Sequence, residues 1–79
     1  MKVTSYFAAI RTRSDRADIR MEWIERTIRE PLCEEIQSDG RIRRWAKIPE
    51  AGGRYLRVVL LHDGETLHNA FFDRRFKEK

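Results

Sequence analysis

The sequence predicts an α+β domain in which two N-terminal helices pack on one face of a three- to four-stranded antiparallel meander sheet. Apolar residues recur at helical spacing in the first half of the chain, and an alternation of period two replaces that spacing after Cys33. Turn-forming residues separate the alternating segments at 38–40, 49–53 and 63–64. The 79 residues suffice for one domain, with helices within 5–31, the sheet within 33–73 and a basic tail over 74–79.

The first helix is predicted over residues 6–13. Ser5 is a suitable N-cap, because a serine hydroxyl can accept a hydrogen bond from the first helical turn. Helical spacing directs three side chains toward the core, namely Tyr6, Phe7 and Ile10. The polar pair Ser14 and Asp15 then ends the helix.

The second helix is predicted over residues 20–30. Met21, Ile24 and Ile28 recur at spacings of three and four and form an apolar stripe, with Trp23 beside it. Pro31 marks the end, since proline has no amide hydrogen to continue the helix and restricts the residue before it.

The second half predicts a short strand from Cys33 and longer strands over 41–48, 54–62 and 65–72. Asp63 and Gly64 form one of the strongest two-residue hairpin signals, because a type I′ turn needs positive φ at both positions. Such a turn pairs His62 with Glu65, Leu61 with Thr66, Leu60 with Leu67, Val59 with His68, Arg57 with Ala70 and Tyr55 with Phe72.

Alternation then sorts the side chains onto two faces of the sheet. The face that receives the helices collects Leu56, Val58, Leu60, Leu67 and Phe71. Ile42 and Ala46 join it if the 49–53 loop brings Ile48 opposite Arg54. The opposite face, called the helix-free face below, collects Arg43, Trp45, Lys47, Tyr55, Arg57, Val59, Leu61, Thr66, His68, Ala70 and Phe72.

Positive charge is concentrated in the second half of the chain. Residues 1–40 carry seven lysines and arginines against eight acidic residues, whereas residues 41–79 carry ten against five. This asymmetry favours an acidic partner, of which nucleic-acid phosphate is the usual one. The alternative is a well-solvated surface on a soluble domain.

The two histidines, His62 and His68, flank the predicted turn and project from opposite faces. A metal pair needs both imidazoles to converge on one ion with further ligands nearby, so the sequence predicts neither a metal site nor a cofactor. Cys33 is the single cysteine, which excludes an internal disulfide.

His68 is predicted to stand in mid-strand on the helix-free face near Arg57 and Arg43. An imidazole can act as general acid or base, and guanidinium groups stabilise the charge that builds during phosphoryl transfer. Further residues are candidates for RNA binding: Lys47, Trp45 and Tyr55 on the same face, and Arg74 and Arg75 in the tail. Together these are the parts of a metal-free RNA-cleaving site with His68, Arg57 and Arg43 as catalytic residues. The alternative is a polar outer face, or one packed against a partner.

The chain also resembles a family of small bacterial domains of unknown function that is grouped with RelE-like and barnase-like ribonuclease toxins. The resemblance lies in IRMEWIERTIREP over 19–31, GRIRRW over 40–45, RYLRVV over 54–59, the Asp63-Gly64 turn and NAFFDRR over 69–75. It covers most of the chain, from about residue 6 to residue 76, with short motifs.

The resemblance implies a RelE-like fold and the role of a toxin that cleaves RNA without metal on the sheet face that an antitoxin covers. By position, Arg57 is the arginine of the family's LRVV motif, and Asn69 takes a last-strand position often held by threonine. Arg11 matches the first-helix arginine, and the resemblance makes it a further candidate for RNA binding. Many members begin the first helix with His-Ala, where this chain has Phe7-Ala8.

Two functions are therefore open. One is a RelE-like, metal-independent endoribonuclease of a toxin–antitoxin system, and the other is a non-catalytic module that binds RNA or protein. The partners to expect are RNA, an antitoxin-like protein on the helix-free face, or a second copy of the chain. The chain lacks an apolar run long enough for a membrane span and a signal-peptide pattern at its start, so a cytoplasmic location is expected.

Overall fold

The computed structural model describes residues 2–13 and 18–78 as two helices and a four-stranded sheet. The helices are α1 (Ser5–Ile10) and α2 (Met21–Arg29), and the strands are β1 (Cys33–Ile36), β2 (Ile42–Ile48), β3 (Arg54–Leu60) and β4 (Leu67–Phe72). This order confirms the predicted α+β class. The predicted helix break at Ser14 and Asp15 lies outside the described residues.

Helix α1 is shorter than predicted and begins one residue earlier. Its N-cap is Thr4 rather than Ser5, because the Thr4 hydroxyl accepts the amide hydrogen of Phe7 at 3.1 Å. Phe7 and Ile10 are buried as predicted. Tyr6 was predicted to face the core, but 50% of its surface is exposed, since it lies on the other side of this short helix.

Helix α2 matches its prediction within one residue at each end. Its buried side chains are Trp23, Ile24 and Thr27, while Met21 and Ile28 pack at the rim of the core. Thr27 is tolerated in the core because its hydroxyl donates to the carbonyl oxygen of Trp23 at 2.8 Å.

The sheet is an antiparallel meander in the order β1-β2-β3-β4. Ile48 lies opposite Arg54 as predicted, across a 3-10 turn (Pro49–Ala51) and two glycines with positive φ. Arg44 of β2 ties the helical layer to the sheet, because it donates to the Ile28 carbonyl oxygen at 3.0 Å and pairs with Glu34 at 2.6 Å.

The connection between β3 and β4 differs from the predicted type I′ turn. The amide of Gly64 donates to the carbonyl oxygen of Leu61, and only Gly64 has positive φ here. Asp63 instead accepts the amide hydrogens of Glu65 and Thr66 at 2.9 Å. The Asp63 side chain thus closes the loop. The predicted type I′ turn would have closed it with the backbone of Asp63 at positive φ.

The predicted pairing of β3 with β4 is confirmed next to the turn and wrong beyond it. Leu60 pairs with Leu67, but Val59 pairs with Asn69, so His68 is the extra residue of a β-bulge. Each later β4 residue therefore moves to the opposite face. Ala70 and Phe72 were predicted on the helix-free face and instead pack with the core, whereas Phe71 moves to the helix-free face and pairs with Arg57.

The core lies between the helices and one face of the sheet. Helix α1 packs on β4, and α2 packs on β2 and β3. The shared cluster comprises Phe7, Ile10, Ile19, Trp23, Ile24, Ile48, Leu56, Val58, Leu60, Leu67 and Ala70. The helix-free face consists of Cys33, Glu35, Arg43, Trp45, Lys47, Tyr55, Arg57, Val59, Asn69 and Phe71.

The outer edge of β4 is partly covered by the start of the chain. Val3 forms a parallel bridge with Leu67, and Leu67 exchanges backbone hydrogen bonds with Lys2 and Thr4 at 2.8 and 2.9 Å. The edge of β4 is thus closed at this point. None of the described helices is long and apolar enough to cross a membrane.

Candidate nucleic-acid interface on the helix-free face

Arg57 lies at the centre of the helix-free face between two aromatic rings. Its guanidinium carbon is 5.7 Å from the centre of the Trp45 ring and 5.0 Å from that of Phe71. Trp45 is directly opposite Arg57 on β2, and Phe71 is directly opposite on β4. Cross-strand pairing therefore builds the stack, in which a cation is attracted to the faces of both rings.

Asp73, just beyond β4, holds this stack in place. One of its carboxylate oxygens accepts the indole N–H of Trp45 at 3.1 Å and lies 3.6 Å from Arg57 Nη1. The other oxygen accepts the amide hydrogen of Arg75 at 3.0 Å. Burial raises the pKa of Asp73, but these bonds and the charge of Arg57 lower it more, so the net pKa is below the ordinary value.

The tail folds back over the face and places Phe76 on two of its rings. Phe76 is stacked on Trp45 with ring centres 5.0 Å apart and planes 19° apart, and it meets Tyr55 at 5.0 Å. The hydroxyl of Tyr55 donates to Glu78 at 2.9 Å, which raises the pKa of Tyr55. As a result Trp45 is only 5% exposed although it faces away from the helices.

Arg43 lies diagonally from Arg57 on the same face, since Arg43 pairs with Val59 two residues further along β3. Its Nη1 atom is 3.3 Å from the carboxylate of Glu35, which is mostly exposed. The Nε atoms of both arginines are buried and have no hydrogen-bond partner among the described residues. Both guanidinium groups thus keep donor capacity that their carboxylate partners do not use.

Two clefts flank Phe76. One of about 460 Å³ is lined by Arg43, Arg57, Arg75 and Lys77 among others, and one of about 610 Å³ by Arg54 and Arg74. The acidic residues that line the clefts are Glu35, Asp73 and Glu78. Six cations against three carboxylates leave both clefts with an excess of positive charge.

His68 does not join the predicted catalytic group. The bulge directs it to the start of the chain, where Nδ1 lies 3.1 Å from the Thr4 hydroxyl and the ring stacks on Tyr6 at 5.0 Å. The contacts of Arg57 are instead with Trp45, Phe71 and Asp73. Burial, and then the positive charge of Arg41, lowers the pKa of His68 below 6.5, so the neutral imidazole is favoured near neutral pH.

The remaining predicted residues fall in three places. Lys47 is exposed on the helix-free face opposite Tyr55, and Arg74 and Arg75 are exposed in the tail beside the clefts. Arg11 caps the C-terminus of α1 and lies 6.0 Å over the Phe7 ring, so it is separated from this group by the sheet.

Sequence reasoning missed Asp73, Phe71 and Phe76. Phe71 was missed because the bulge was not anticipated. Phe76 had one available signal: it is the single aromatic residue within the charged segment 73–79, and an aromatic side chain there gains free energy by packing on a nearby ring.

Fold and site together define a small α+β domain with a cationic and aromatic sheet surface. No family model, curated protein or solved structure matches the chain. The likeness to RelE-like ribonucleases therefore stays a prediction from the sequence motifs.

Proposed function

We propose that this protein is a non-catalytic RNA-binding module that holds a single-stranded segment on its helix-free face. The observation that carries the proposal is the Arg57 stack: a guanidinium between two rings, fixed by Asp73, in a row with aromatic side chains and surrounded by further cations. Proteins that bind single strands combine these two elements, rings on which bases stack and cations that meet the phosphates.

Charge supports a phosphate-bearing partner. Lys47 is exposed beside Tyr55, and cations outnumber carboxylates in both clefts. Rigidity supports binding as well, since Trp45 and Arg57 are both anchored by Asp73 before any ligand arrives. Less conformational entropy is then lost when the strand binds.

The test is the salt dependence of binding to a labelled single-stranded RNA, followed by fluorescence anisotropy. Lys47→Gln and Arg43→Gln each remove one cation from the helix-free face. Each is expected to weaken binding and to reduce the slope of log affinity against log salt by about 0.7. Arg29→Gln, which removes an exposed cation from α2 on the other side of the sheet, is the matched control and should change neither quantity. An affinity that stays flat as salt rises, or an equal effect of Arg29→Gln, would refute the proposal.

A metal-independent endoribonuclease of the RelE-like toxin type, with an antitoxin-like protein on the same face, is the second candidate. The observation that favours it is the placement of Arg43 and Arg57 on one face, since guanidinium groups stabilise the charge that builds during phosphoryl transfer. His68 lies against Thr4 and Tyr6 instead, so the two predicted catalytic residues should respond differently to substitution. With EDTA present, Arg57→Ala should abolish RNA cleavage, whereas His68→Ala should leave it in place. Cleavage that is unchanged in Arg57→Ala would exclude this site.

A further inference from the structure

Phe76 lies between two clefts, one on the helix-free face and one at the end of β3 and β4 that also includes Arg54 and Phe72 from the opposite side of the sheet. Both clefts are lined by Phe76 and Asp73, the cleft of about 460 Å³ on one side and that of about 610 Å³ on the other. Asp73 is tied to the sheet, because its amide donates to the carbonyl oxygen of Tyr55 at 2.9 Å. Of the two residues that line both clefts, Phe76 is therefore the one whose side chain can move while the sheet stays intact.

Side-chain contacts hold Phe76 in this position. Its ring is stacked on Trp45 and tilted against Tyr55, and the next anchor along the tail is the bond between Tyr55 and the exposed Glu78. Among the described residues, the amide of Asp73 makes the last backbone hydrogen bond to the sheet before the tail. The backbone of the tail is held as well, because the Asp73 carboxylate accepts the amide hydrogens of Arg75 and Phe76. The Phe76 side chain itself is held by its two ring contacts, a modest restraint with which a ligand can compete.

The position of Phe76 matches that of an unpaired base. A flat ring lies parallel to the Trp45 indole, within 19°, and cations stand in the clefts on both sides of it, Arg54 and Arg74 in one and Arg43 and Lys77 in the other. A nucleotide strand has this pattern, with a phosphate before and after each base. Duplex RNA does not present it, since its bases are stacked inside the helix.

We infer that Phe76 is an intramolecular substitute for a nucleobase, and that single-stranded RNA binds this face by displacing the Phe76 ring from Trp45 and Tyr55. The inference rests on the proposed function and adds to it the position of the stacked base and the competition with the tail. Wild-type protein binds RNA only in the fraction of molecules whose tail has moved away, which lowers the apparent affinity by that fraction.

The first test compares Phe76→Ala with the matched control Phe76→Tyr by anisotropy with a labelled single-stranded oligouridylate. Phe76→Ala removes the competing ring, so RNA binding should tighten on the order of tenfold. No charge changes, so the salt slope should stay as in the wild type. Phe76→Tyr keeps the stacked ring and should bind like the wild type. Unchanged or weaker binding by Phe76→Ala would overturn the inference, and circular dichroism checks that both variants are folded.

The second test uses the wild-type chain and does not depend on any variant. The contact between the Trp45 indole and the Phe76 ring should give a nuclear Overhauser effect in the free protein, which should vanish when the protein is saturated with RNA. Its persistence in the complex would overturn the inference.

The two proposals fail in distinguishable ways. If the wild type binds RNA through Lys47 and Arg43 but Phe76→Ala does not tighten binding, only the displacement of the tail is refuted. If neither the wild type nor Phe76→Ala binds RNA, both proposals fail. If Phe76→Ala tightens binding of a polyglutamate peptide and not of RNA, or forms a dimer in light scattering that the wild type does not form, the occupant is a protein and the RNA assignment is wrong.

Discussion

Replacing Asp73 with alanine is the most direct test of the site architecture. Its carboxylate accepts the indole N–H of Trp45 at 3.1 Å and pairs with Arg57 at 3.6 Å, and its own side chain is only 13% exposed. In Asp73→Ala the indole N–H stays buried without an acceptor, because Trp45 is 5% exposed. Arg57 loses the carboxylate that its guanidinium contacts in the wild type.

The cost follows from these two losses. A buried donor left without a partner costs about 1–3 kcal/mol. The ion pair is largely shielded from water on both sides, so its loss adds about 1 kcal/mol. We therefore expect the free energy of unfolding to fall by about 2–4 kcal/mol, which for a domain of this size lowers the melting temperature by roughly 10–25 °C.

Urea unfolding followed by circular dichroism measures this cost. A double-mutant cycle with Trp45→Phe, which keeps a ring and removes the N–H, should show a coupling energy of about 1 kcal/mol between the two positions. The matched control is Glu65→Ala, since Glu65 is a 70% exposed carboxylate at 3.9 Å from Lys2 and should change stability by less than about 0.5 kcal/mol. If Asp73→Ala is no more destabilising than Glu65→Ala, the proposed role of Asp73 is refuted.

Three further predictions concern stability. The pKa of His68 in the folded chain lies below 6.5, so the unfolded chain binds more protons and the free energy of unfolding should fall as pH drops below about 6.5. His68→Gln should flatten this part of the pH profile. An unchanged slope in this variant would contradict the prediction. Hydrogen bonding to Arg26 lowers the pKa of Glu50 to about 2 in the folded chain, from 4.5 in the unfolded chain. Glu50→Gln should therefore be less stable than the wild type above pH 4.5, and this difference should shrink as pH falls toward about 2. A difference in urea unfolding that does not shrink over that range would contradict the prediction. Ile24→Ala, at a fully buried position, should cost about 2–5 kcal/mol in the same assay, whereas Ile36→Ala, at a 67% exposed position, should cost less than about 0.5 kcal/mol, and equal costs would contradict the packing.

Local patterns predicted the helices and strands well where they were strong. The 3.6-residue stripe of α2 and the proline after it set both ends of that helix within one residue. The β2–β3 pairing was also correct, because Ile48 and Arg54 bracket a loop whose glycines can adopt positive φ. Both results depend on chemistry within a few residues of the element concerned.

The candidate site could be predicted only in part. Arg43, Trp45, Tyr55 and Arg57 share one face because β2 and β3 alternate without interruption. His68 was assigned to the same group on the assumption of a two-residue turn, and the bulge moved it to Thr4 and Tyr6. The local alternation does not reveal the extra residue, since LHNAFF is compatible with the pairing that has the bulge and with the pairing that lacks it.

The sequence by itself determined the α+β class, the order of the elements and the cationic character of the second half, because helical period, alternation, turn residues and charge are local properties. Tertiary structure alone decided which way β4 faces and what covers the sheet. A one-residue bulge inverts every side chain after it, and it is set by the packing of Ala70 and Phe72 against the helices. The packing of Phe76 on Trp45 and Tyr55 joins residues that are far apart in the chain. This contact can stabilise the tail only once the sheet has formed.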